Sequence, residues 1–165
     1  FPNDPWRIGD TYNTAIGQYG FQITPIQLAR SLSAIANGGS VMTPHVFLKA
    51  GDTTAKEGTP VHSIPVAEGD LQIVREGMCL GVTDGIAQAL NFPFVQVAAK
   101  TGTAEVGAVK RYANSWISGF FPYDNPKYAF VVVMEKGPRN NLKGAVFVMR
   151  ALFEWMNIHR PEYIK

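Results

Sequence analysis

Lys100, Thr101 and Thr103 place a cation and two hydroxyls within four consecutive positions, and Gly102 stands among them with no side chain. Such a set suits an anion, the ammonium supplying charge and the hydroxyls directional donors. Just upstream, Val95, Val97 and Ala99 alternate with Gln96, Ala98 and Lys100, the period of a strand with one buried face. A strand edge left bare at Gly102 lets another backbone or a ligand come close, and free backbone N–H groups there can polarise a carbonyl. The expectation is a strand within residues 95–107 that ends in Lys100-Thr101-Gly102-Thr103 and grips a carboxylate laid along its edge. The bland alternative is a strand running into a turn, with Lys100 solvated and the threonines serving β propensity.

The flanking elements must hold that strand. Residues 115–121 read as a second strand with apolar side chains on both faces (Trp116, Ile117, Phe120, Phe121), and residues 122–126, with two prolines, as a turn. Residues 128–135 are rich in valine and aromatics and read as a third strand, central in its sheet. Between the first two strands, residues 104–112 form a loop near the substrate entrance, where Glu105 meets a cationic part of a peptide or is simply solvated. Residues 136–141 read as a turn-rich loop. In residues 142–158, Leu142, Ala145, Val146, Met149, Leu152, Phe153 and Met156 recur three and four apart, a helix with a wide apolar face. Its other face (Lys143, Arg150, Glu154, Asn157) is sparse and mixed in sign, so it packs on the sheet rather than lying on a membrane.

Towards the N-terminus, residues 1–23 read as loop with short turns. A helix then starts sharply: Thr24 caps, Pro25 takes the first position, and Gln27 completes a capping box. Leu28, Leu32, Ile35 and Ala36 make its apolar stripe and Asn37-Gly38-Gly39 stops it, while Gln27 and Arg30 cap and solvate. Residues 41–50 are an extended, peripheral segment broken by Pro44, and residues 51–65 a loop or frayed hairpin. Ala67, Leu71, Val74 and Met78 give a further helical face, followed by a short helix over residues 85–90.

Several of these blocks occur together in the order of a known family. The run GDTYNTAIGQYGFQITPIQLARSLSAIANGG (residues 9–39), then Lys-Thr-Gly, then NSWISGFFPYDNPKYAFVVVMEKG (residues 114–137) resembles the transpeptidase domain of class B penicillin-binding proteins, the penicillin-binding protein 2 kind. The resemblance implies an α+β fold: an antiparallel sheet contributing three strands in sequence order, the C-terminal helix on one face and the earlier helices on the other side of the active-site edge. It also implies a partial penicillin-binding/β-lactamase-like transpeptidase fold, with residues 1–165 the C-terminal portion of a single domain. Lys100 is then the catalytic cation. Lys100, Thr101, Gly102 and Thr103 bind substrate, the Thr103 N–H giving half of an oxyanion hole.

The family's Ser-x-x-Lys and Ser-x-Asn motifs precede Lys-Thr-Gly. No serine of this chain (Ser31, Ser33, Ser40, Ser63, Ser115, Ser118) begins either one. Tyr112-Ala113-Asn114 imitates a Tyr-x-Asn variant of the second motif but follows Lys-Thr-Gly, and so reads as coincidence. The chain is therefore expected to supply the substrate-binding strand and to be inactive alone. The parent implied is a peptidoglycan D,D-transpeptidase on the periplasmic side of the inner membrane, anchored by a segment outside these residues. It binds stem peptides ending in D-Ala-D-Ala, and β-lactams. A non-catalytic β-lactam sensor or peptide-binding relative is the alternative, and a serine β-lactamase a third. Without its partner half, such a chain is expected to self-associate.

Composition bounds the rest. With 165 residues, 46% hydrophobic and 17% charged, the chain has the make-up of one globular domain. A net charge of +2 with no basic cluster points away from nucleic acid. The single cysteine, Cys79, excludes an intrachain disulfide and reads as a buried, inert thiol. His45, His62 and His159 show no ligand spacing, and no cofactor or metal is expected. No apolar run reaches the length of a membrane span.

Overall fold

The computed structural model describes residues 4–17, 22–51, 53–54, 58, 60–106, 111–140 and 143–164. Its centre is a three-stranded antiparallel sheet in the order β5 (Ala98–Val106), β6 (Tyr112–Phe121), β7 (Tyr128–Pro138). The strands thus pair in sequence order, and the fold is α+β as expected. Among the described residues β6, not β7, is the central strand, because Ile117, Gly119, Phe120 and Phe121 are buried along it and both neighbours pair with it.

Each face of the sheet carries its own core. On one side α4 (Ala145–His159) sets Ala145, Met149 and Phe153 against Ala99, Ile117 and Phe121. The Phe153 ring meets Phe121 edge-on at 4.8 Å and Phe130 at 5.8 Å between centroids. On the other side α2 (Pro25–Ala36) and α3 (Glu68–Thr83) place Leu32, Ala36, Met78 and Cys79 against Ala98 and Phe120. Consecutive residues Ala98 and Ala99 are therefore both buried, each in a different core.

The α2 start is the capping box foreseen: the Thr24 N–H donates to Gln27 Oε1 at 2.8 Å and the Gln27 N–H to Thr24 Oγ1 at 3.3 Å. Arg30 does more than solvate, since its Nε donates to the Met42 carbonyl at 2.7 Å and ties α2 to β1 (Ser40–Met42). β1 pairs with β4 (Pro60–Ser63), and β2 (Lys49–Ala50) with β3 (Thr53–Thr54), so the polar stretch after residue 50 includes hairpin strands at the periphery.

Several local expectations give way to tertiary structure. Residues expected to be loop form α1 (Ile8–Ala15), which closes its first turn with the Arg7 N–H donating to Asp10 Oδ2 at 2.8 Å. α3 runs through Gly77 and Gly81 to Thr83, and at Gly81 a Cβ would lie 3.0 Å from the Ala99 carbonyl oxygen, so this glycine lets helix and strand touch. The short helix expected at residues 85–90 shrinks to a 3-10 turn, Gln88–Leu90. β5 is shifted along the chain, leaving out Val95 and Val97, starting at Ala98 and continuing past Thr103 to Val106. β6 begins at Tyr112 and β7 reaches Pro138, both lengthened by pairing that local sequence does not announce.

On α3 the buried residues are Leu71, Met78, Cys79 and Val82, with Val74 exposed; on α4, Leu152 is exposed. Arg150, placed by periodicity on the solvent face, is half-buried and donates from Nη1 to the Ala89 carbonyl at 2.9 Å. Leu142 lies outside the described residues, as does the segment 18–21 of the matching run at residues 9–39.

Candidate functional site

The Lys100-Thr101-Gly102-Thr103 segment sits in mid-strand on β5, an edge strand of the sheet among the described residues. Pairing sets it residue by residue against β6: Lys100 faces Ser118, Thr101 Ile117, Gly102 Trp116, Thr103 Ser115 and Ala104 Asn114. Because strand side chains alternate, Lys100, Gly102 and Ala104 share the face of Trp116 and Asn114.

That face floors an open groove of about 810 Å³. Its floor carries Lys100, Trp116, Asn114, Ser118 and, from β7, Glu135. Its opposite wall is Ile16, Gly17, residues 22–25 and Leu28, where α1 gives way to the capped start of α2. The groove is thus walled by the two sequence blocks that frame Lys-Thr-Gly in the chain. A smaller hollow of about 490 Å³ between α2 and β1/β4 contains none of the expected site residues.

Within the groove Lys100 is exposed, and its Nζ donates to the Thr101 carbonyl at 2.7 Å. This tether to its own strand keeps the charge at the edge. Thr103 is exposed and Thr101 half-buried. A Cβ added at Gly102 would meet only the Trp116 side chain, its Cβ at 3.4 Å and its Cγ at 3.9 Å, both ordinary contacts. The fold itself therefore has no need of glycine at this position. The floor runs from the Lys100 cation to the Glu135 carboxylate, with an indole between them, an arrangement able to take an extended chain that carries a carboxylate at one end.

Other expectations resolve differently. Glu105 is not simply solvated: it pairs with Arg139 at 2.9 Å, joining the far end of β5 to the residue that follows β7. Asn114, set aside in the sequence because its motif follows Lys-Thr-Gly, is carried to the groove by β5–β6 pairing. Chain order hid it, and the strict alternation of β6 across a hairpin is the signal that finds it. Cys79 is buried, and burial, with Asp124 nearby, pushes its thiol pKa up, so the nucleophilic thiolate is disfavoured there. Among the described residues no group of three His, Cys, Asp or Glu side chains could hold a metal ion, and no helix is long and apolar enough to cross a membrane.

Comparison with known proteins gives consistent matches. A family model described as the penicillin binding protein transpeptidase domain matches residues 1–154. Peptidoglycan D,D-transpeptidase MrdA of Acinetobacter baumannii is 32% identical over 166 residues, covering 83% of this chain and 24% of its own length. Penicillin-binding protein 2 of Pseudomonas aeruginosa, solved in complex with WCK 5153, superposes with a TM-score of 0.77 at 27% identity, covering 96% of this chain and 36% of that one. Penicillin-binding protein A of Mycobacterium tuberculosis, solved as an imipenem acyl-enzyme, gives a TM-score of 0.67 at 31% identity, covering 86% and 32%. The chain spans about a quarter of the length of the curated relatives it matches.

Proposed function

Since the chain belongs to the penicillin-binding protein transpeptidase domain family, of the class B, penicillin-binding protein 2 kind, we propose that residues 1–165 are the C-terminal portion of one transpeptidase domain in a peptidoglycan D,D-transpeptidase. Its partners are stem peptides ending in D-Ala-D-Ala, β-lactams that imitate them, and the other half of the same domain. It works in the cell envelope, on the periplasmic side of the inner membrane. The observation that carries this reading is the Lys-Thr-Gly segment exposed on an edge strand and opening onto a groove with a cation at one end.

In this reading the nucleophile is a serine outside residues 1–165, because none of the six serines here begins Ser-x-x-Lys. The serine Oγ gives up its proton and bonds to the carbonyl carbon of the D-Ala-D-Ala peptide bond. The C–N bond breaks, and the last D-alanine leaves with a proton on its amine. An amine of a neighbouring stem then attacks the ester, forms the cross-link and returns the serine. Against a β-lactam the same attack opens the ring, the amine stays tethered, and the reaction halts at the acyl stage.

Lys100 supplies the positive potential that seats the donor's carboxylate and supports proton movement near the serine. Thr101 and Thr103 hydroxyls bond that carboxylate, and the Thr103 N–H polarises the reacting carbonyl. Gly102 leaves the strand bare for close approach, which fits the absence of any steric demand for glycine from the protein itself.

Fluorescent penicillin incubated with the full-length protein tests the assignment. Label on the parent, with labelling slowed by about a hundredfold or more in Lys100→Ala, is the expected result. Equal rates for parent and variant overturn the role of Lys100, and an unlabelled parent turns the reading towards a non-catalytic peptide-binding relative.

A further inference from the structure

The ladder between β6 and β7 is interrupted once. Ser115 stands opposite Met134 but Ala113 opposite Gly137, so Glu135 and Lys136 together face Asn114. This is a one-residue bulge, and Lys136 takes φ of 53°, a left-handed conformation that disfavours any residue with a β-carbon. Its backbone N–H goes to the Asn114 side chain, donating to Oδ1 at 2.9 Å.

That bond decides the orientation of the amide. A backbone N–H can be accepted only by the oxygen end of a carboxamide, so the nitrogen end must lie away from the bulge. Nδ2 has no partner among the described residues. Asn114 lines the groove, level with Ala104 on β5 and two residues from Trp116 on β6. The result is a half-buried side chain anchored at one end by a strained backbone and presenting two N–H donors at the other. A donor fixed in this way binds without first having to be ordered.

We propose that Asn114 is a substrate-binding residue: its Nδ2 donates to a peptide carbonyl of the same ligand whose carboxylate lies at Lys100, Thr101 and Thr103. This rests on the reading of the Lys-Thr-Gly strand given above. The Thr103 level lies one residue, about 3.3 Å, along the strand from the Asn114 level, and one strand, about 4.8 Å, to the side. A carboxylate and a peptide carbonyl of one extended peptide span that separation. The Lys136 bulge is the positioning device, since it consumes the acceptor end of the amide and leaves only donors facing the ligand.

The full-length protein tests this with two variants, read by affinity for an N-acetylated stem peptide ending in D-Ala-D-Ala, by acylation with benzylpenicillin, and by thermal unfolding. Asn114→Asp keeps an oxygen for the Lys136 N–H but has no donor. It is expected to unfold within about 2 °C of the parent while peptide affinity falls about tenfold or more, the loss of one ligand hydrogen bond. Asn114→Leu combined with Lys136→Gly removes the anchor and relieves the bulge together, and is expected to fold yet bind as weakly.

Parent-like affinity in either variant overturns the proposal; in the double variant it would show that Asn114 acts only by holding the bulge. The reading of the whole protein as an enzyme fails separately. A parent that binds the peptide but takes up no penicillin defeats that reading, and Asn114 is still judged on peptide affinity. A parent that binds neither ligand overturns both.

Discussion

β5 is two strands end to end. At Ala98 and Ala99 it is sealed between two cores, with 0% and 1% exposure; from Lys100 onwards its side chains are exposed or half-buried and one face opens to the groove. Each half has a glycine beside it, and the two are there for opposite reasons. A Cβ on Gly119, which pairs with Ala99, would sit 2.1 Å from the Ala98 carbonyl oxygen and 2.9 Å from the Ala99 Cα. A Cβ on Gly102 would meet a single side chain, Trp116, at van der Waals distance. Gly119 is a requirement of packing; Gly102 is a vacancy the fold does not use. A glycine in a strand thus points to a ligand only where the protein's own atoms leave it room.

The sharpest way to break this comparison is to add the same methyl group to both halves. Gly119→Ala forces backbone atoms apart in the sealed half and is expected to cost about 4 kcal/mol or more, beyond what overpacking with flexible side chains usually costs. Gly102→Ala is expected to change stability by under about 1 kcal/mol, yet to slow penicillin acylation of the full-length protein. Thermal and urea unfolding read the first effect, fluorescent penicillin the second. If Gly102→Ala acylates like the parent, or Gly119→Ala unfolds like it, the division of the strand into a packed and a functional half is wrong.

A second pair sharpens the same contrast on α4, the helix that backs the sealed half. Phe153 is fully buried against three aromatic rings, whereas its neighbour Leu152 is 43% exposed. Phe153→Ala is expected to cost about 3–5 kcal/mol, the range for deleting a buried aromatic, and Leu152→Ala less than about 1 kcal/mol. Urea midpoints of the two variants check it; similar losses would mean that the outer face of α4 is buried against something else.

What could be read from the sequence divides along the same line. The sealed parts are governed by local rules, so Thr24, Pro25 and Gln27 announce the start of α2, and Ala145, Met149 and Phe153 announce the inner face of α4. That Lys-Thr-Gly lies on a strand is legible in the sequence, but its place on that strand is not: the alternating Val95 and Val97 precede β5, which begins at Ala98 and runs past Thr103. The open half depends on pairing between distant residues. Nothing local says that β5 extends to Val106, that Glu105 reaches Arg139, or that Arg30 binds the Met42 carbonyl. Periodicity also could not separate Leu152 from Phe153, because α4 is apolar well beyond the face it buries, with Phe147 and Trp155 each 50% exposed. Asn114 shows the limit most clearly: its motif stands in the wrong order along the chain, and only a hairpin brings it to Lys-Thr-Gly.

The smallest effect belongs to the bulge at the open end, and its sign is informative. Lys136 at φ 53° carries the strain of a β-carbon in the left-handed region, of order 1–2 kcal/mol. Lys136→Gly removes that strain but gives the unfolded chain more freedom, which offsets about 0.4–1 kcal/mol of the gain. The net expectation is a stabilisation of about 0.5 kcal/mol, visible as a small rise in the thermal midpoint. The Asn114 bond to the residue-136 N–H persists in this variant, because that donor is backbone. Stability should therefore rise without any change in peptide affinity. A fall in stability would mean that the Lys136 side chain contributes more than its backbone costs, and the bulge would then be held from outside the groove rather than by Asn114 within it.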